Sequence, residues 1–130
     1  MITEDYVSFE TAKLLKESGF NEPCYACYIN REISHYDYLA TNFELIDGVI
    51  SAPTLQMAMK WLRKVHNIHI AIVPCEVGLG VMDYTYILYK VDTENFIFKN
   101  LGIQGRANTD EISVSKTCEA AIKYCLENLI

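Results

Sequence analysis

No stretch of this sequence is apolar enough to cross a bilayer. The best one, Ile68 to Val73, is already broken by His69, and a spanning helix needs about 18 to 20 such residues. Basic residues are also scarce. Eleven Lys and Arg stand against 17 Asp and Glu, for a formal net charge of -6; such a balance repels phosphate backbones and disfavours nucleic acid as a partner. The opening residues Met1 to Tyr6 lack the basic and apolar regions of a secretory signal, and there is no Asn-x-Ser/Thr sequon. The five cysteines are an odd number without regular spacing, which fits reduced thiols in a cytoplasm better than a disulfide framework. A cytoplasmic protein with no membrane contact is the expectation.

At 130 residues, with 51% hydrophobic and 22% charged, the chain is long enough to bury one core and is expected to form a single domain over residues 1–130. Ser8 can cap a helix that Gly19 stops, with Phe20 and Leu15 placed for the apolar contact of a Schellman ending. Cys24 to Ile29 and Ile33 to Leu39 then read as a hairpin around Asn30-Arg31-Glu32, with Tyr36 and Tyr38 on one face. After Asn67 the pattern turns to period two. Ile68 to Val73, Tyr84 to Val91 and Phe96 to Phe98 predict an antiparallel meander, with Pro74 to Gly80 as a loop and Leu101 to Ile112 as irregular chain. A last helix capped by Ser115 carries Cys118, Ala121, Ile122, Cys125 and Leu129 as its apolar stripe. The order predicts an α+β fold, a small, mostly antiparallel sheet packed against about three helices.

Ser51-Ala52-Pro53 followed by Thr54 to His66 gives the strongest helical pattern in the chain, with Ser51 as the expected cap and Pro53 tolerated in the first turn. Leu55, Ala58, Met59, Leu62, Val65 and His66 form its main apolar side, while Gln56, Lys60, Arg63 and Lys64 take the other. Met57 and Trp61 form an i, i+4 pair outside that stripe. Something should cover them. Another helix of the same domain is the simplest cover; a partner surface is the alternative that makes these two residues candidate partner-binding positions.

Patterns that could carry chemistry are weak. Cys24-Tyr25-Ala26-Cys27 matches C-x-x-C, but without a following helix or a second pair, and strand residues three apart point to opposite faces. Cys118 and Cys125 lie about 10 Å apart along one helix and read as buried small hydrophobes. His66 and His69 flank a helix-to-strand junction with Cys75 and Glu76 nearby, yet belong to differently directed faces. Gly78-Leu79-Gly80 lacks the Lys of a phosphate loop and the third Gly of a dinucleotide fingerprint, and no serine sits in a G-x-S-x-G turn. No catalytic residue, metal site or cofactor is indicated.

Three segments, Tyr6 to Lys16, Ser51 to Ile70 and Cys118 to Leu129, resemble small uncharacterised proteins of gut Bacteroidales and their phages or mobile elements. The resemblance spans most of the chain and brings with it no activity and no site residues. Two readings follow. The first is a non-catalytic accessory or protein-interaction domain with an unknown protein partner or self-association. The alternative is a small-ligand-binding domain or small enzyme with an aromatic-lined pocket, since nine tyrosines supply amphipathic rings.

Overall fold

The computed structural model describes residues 2–107, 109 and 112–130. Three helices and six strands follow one another as α1 (Phe9–Glu17), β1 (Cys24–Ile29), β2 (Glu32–Ala40), β3 (Val49–Ser51), α2 (Leu55–His66), β4 (Ile68–Gly78), β5 (Val81–Asp92), β6 (Ile97–Gly105) and α3 (Val114–Asn128). The fold is α+β, as expected. Its strands divide into two antiparallel sheets of three, ordered β2-β1-β3 and β4-β5-β6.

Local chemistry sets the helix ends. Ser8 caps α1, its hydroxyl accepting from the Thr11 amide. At the other end Gly19 takes φ +92°, the Phe20 amide donates to Leu15 and the Gly19 amide to Lys16, which is the predicted Schellman pairing. The caps of α2 and α3 differ from expectation. Thr54 rather than Ser51 caps α2, because Ser51 is the last residue of β3, and Pro53 therefore precedes the helix. Ser113 rather than Ser115 caps α3; the Ser115 hydroxyl bonds the Asp5 carboxylate instead.

In the first sheet, Asn30 and Arg31 both adopt positive φ between Ile29 and Glu32, the geometry of a two-residue hairpin turn that matches strand twist. In the second, β4 runs on through Pro74 to Gly78 and turns at Leu79-Gly80, so the expected loop is strand up to that point. Of the stretch read as irregular, Leu101 to Gly105 belongs to β6, and Asn108, Asp110 and Glu111 lie outside the described residues. Gly105 pairs with Tyr86, and a Cβ there would come within 2.6 Å of the Tyr86 hydroxyl. Only glycine leaves room for that ring.

One core joins the elements. Leu15 and Ala12 of α1, Leu55, Ala58, Trp61 and Leu62 of α2, Ile68, Ile70, Tyr86 and Leu88 of the second sheet, and Cys118, Ala121, Ile122 and Cys125 of α3 are buried together. Apolar area removed from water drives this packing. All of the buried side chains of β4 and β5 have the parity of Ile68, Ile70, Tyr86 and Leu88, so α2 and α3 cover one face of the second sheet.

Candidate functional site

Met57 and Trp61 are brought together, and the chain itself covers most of them. Trp61 is 6% exposed. Its ring meets Phe20 edge-on at 5.5 Å and His66 at 4.8 Å, arrangements that aromatic quadrupoles favour. The cover thus comes from the connector after α1 rather than from a helix, because the Schellman turn points Phe20 back under α2. Met57 is half-buried, with its sulfur 3.8 Å from the Cys24 sulfur. The inward face of α2 is consequently turned toward Trp61. Val65, expected in the core, is 54% exposed, because it lies beyond the cover that Phe20 provides. The His66 Nε2 is buried without a hydrogen-bond partner among the described residues.

Beside this packed pair lies a groove of about 500 Å³. Met57, Trp61 and Val65 of α2 line it together with Pro23 and Leu39, and Lys60, Lys64 and Glu22 supply its charged side chains. Residues 57, 60, 61 and 64 are one helical turn apart in pairs, so the spacing that put two lysines beside two apolar side chains is the helix period itself.

The thiols do not form a site. Cys24 belongs to the core cluster, while Cys27 pairs with the Tyr36 hydroxyl at 2.5 Å. The two sulfurs meet different partners, and both are buried, because the register shift between Cys24 and Ala26 interrupts the strict alternation of the strand. Burial pushes the Cys24 thiol up to about 12, helped by the Glu22 carboxylate, and burial alone takes Cys125 up to about 12. Burial raises Cys118 as well, with Glu119 and Asp5 adding to it. Thiols so shifted are neutral near pH 7 and poor nucleophiles. Cys118 and Cys125 are buried and unbridged. His66 packs on Trp61 and His69 faces Tyr89, so the junction imidazoles do not converge, and among the described residues no group of three metal-ligating side chains forms. No helix of the described residues is long and apolar enough to cross a membrane.

A second surface was not singled out from the sequence. On the face of the β4-β5-β6 sheet turned away from α2 and α3, the ladder pairs His69 with Tyr89 and Asn100, Ala71 with Ile87 and Gln104, and Val91 with Phe98. Residues paired in a ladder share a face. Phe98 is 71% exposed, Tyr89 lies 5.9 Å from it, and His69, Ala71, Tyr89, Val91 and Phe98 line a shallow depression. From His69 to Phe98 none of these paired positions bears a carboxylate, an ammonium or a guanidinium. The signal was present. Apolar residues occupy both parities of Ile68 to Val73, which marks a strand meant to be covered on both faces.

No family model matches the chain, and no curated protein or solved structure matches it either.

Proposed function

We propose that the chain is a non-catalytic protein-interaction domain that engages a protein partner, a second copy included, through the outer face of β4, β5 and β6. One observation carries this reading. A three-stranded face with Ala71, Ile87, Tyr89, Val91 and Phe98 on it is left without a helix, and without charge, in a chain of net charge -6. Contiguous apolar surface of this kind marks an interaction site, and aromatic enrichment with depletion of charge is the composition of an interface centre. The resemblance to small Bacteroidales and phage proteins supports an accessory role in a phage or mobile-element setting, and the acidic charge with reduced thiols supports a cytoplasmic one.

The test is a photo-crosslinking amino acid placed at position 98, with position 13 on the exposed side of α1 as the control, in cells producing the full chain. The expected result is one discrete adduct from position 98, absent from position 13 and weakened by Tyr89→Asp. Equal labelling from both positions, or none from 98, overturns the reading.

A further inference from the structure

The α2 groove has different chemistry from the sheet face, and its contents are independent of whether that face docks a protein. We infer that it binds a small amphipathic monocarboxylate, one anionic head on an apolar body of roughly ten to fifteen heavy atoms. Size is the first argument. About 500 Å³ falls within the range of small-ligand sites, roughly 300 to 1,000 Å³, whereas three turns of an approaching helix fill roughly 1,300 Å³ from its diameter and rise.

Charge complementarity fixes the head group. Lys60 and Lys64 stand one turn apart on the groove, both exposed, and neither joins any of the ion pairs Arg31–Glu10, Arg106–Asp83 or Lys123–Glu127. Glu22 is the one carboxylate of the lining. The balance is a single positive charge in a protein of net charge -6, which suits a monoanion better than a dianionic phosphate. Lysine ammoniums act as compact, movable point charges and can close on a carboxylate without a preset fork.

The walls fix the body. Trp61 and Met57 contribute a packed aromatic and a polarizable thioether, and Leu39 and Pro23 add further apolar lining. Leu39 is 48% and Val65 54% exposed. An acyl chain or ring seated between them removes that surface from water while the carboxylate stays at the lysines.

Trp61 is the only tryptophan in the chain and lines this groove, so a saturable change in its emission reports on binding there. The full chain is titrated with octanoate, with 1-octanol (the same body without the charge) and with acetate (the charge without the body). Octanoate should give a saturable change, acetate none, and 1-octanol an affinity about fivefold lower. The double variant K60Q/K64Q should bind octanoate about fivefold more weakly and 1-octanol unchanged, since two exposed charge contacts contribute about that factor together. Raising the salt on the unaltered chain should reproduce the direction of that loss without any mutation. No saturable change with octanoate, equal affinity for 1-octanol, or an octanoate affinity indifferent to both the lysine changes and salt overturns the proposal.

Discussion

The two sheets are ordered by different means. From Ile68 paired with Lys90 to Glu76 paired with Met82, the β4–β5 ladder runs without a break, and β6 continues it antiparallel over seven pairs with one register shift between Leu88 and Tyr89. Backbone pairing and neighbouring side chains suffice there. In the first sheet the register slips between Cys24 and Ala26, which face Ala40 and His35, and β3 has only three residues. Side chains take over the ordering. The buried Asn42 amide donates to the Phe20 carbonyl at 2.8 Å and accepts from the Ser51 amide at 2.8 Å, and the Tyr28 hydroxyl donates to the Val7 carbonyl at 2.6 Å. A long meander is specified by local pairing, whereas a short, slipped sheet depends on clips from residues distant in sequence.

The largest effect expected is in the second sheet's inner face. Leu88 is fully buried among α2, α3 and β4 residues, and Leu88→Ala should cost about 2 to 5 kcal/mol, the transfer term plus the cavity left behind. Urea unfolding measures it. A loss below about 1 kcal/mol would mean that the helices do not close on this sheet as the core requires.

Next in size is Asn42→Ala, which leaves the Ser51 N–H and the Phe20 carbonyl without their partner. Orphaning buried polar groups should cost about 1 to 3 kcal/mol. The comparison between the sheets is sharpened by where the loss falls. Amide exchange should speed up around Val49 to Ser51 and leave the Ile68 to Val73 amides slow, since local openings follow the cooperative unit in which a contact lies. Equal acceleration in both sheets would show that they open as one unit.

What could be read from the sequence follows the same division. The meander, the Schellman ending at Gly19-Phe20 and the stripe of α3 depend on residues close in sequence, and their periodicity showed them. The cap of α2 is not decided locally, because Ser51 and Thr54 are both good caps; a pairing of Cys27 with Ser51, twenty-four positions apart, decides between them by drawing Ser51 into β3. The i, i+4 spacing of Met57 and Trp61 outside the main stripe calls for cover, and the groove beside them follows from the same helical spacing. That Phe20 provides the cover could not be read, because it rests on the path of the connector. The outer face of the second sheet was legible in the double parity of Ile68 to Val73, but only once the helices were seen to number too few for both sides.

The smallest effect expected separates the two faces of that sheet. Phe98→Thr keeps a residue that suits strands and removes a ring that is 71% exposed, whose neighbour in the same depression is Tyr89 at 5.9 Å. A cross-strand aromatic pair contributes roughly 0.2 to 1 kcal/mol, and an exposed ring loses little by returning to water. Phe98→Thr should therefore shift stability by less than about 1 kcal/mol, several-fold below Leu88→Ala, whose side chain sits one residue along β5 from Tyr89 on the opposite face. Thermal and urea unfolding of the two variants side by side make the comparison. A near-neutral Phe98→Thr leaves an intact fold in which loss of the crosslinked adduct can be assigned to the surface itself. A cost equal to that of Leu88→Ala would instead place Phe98 in a covered core, and the outer face would no longer be an open one.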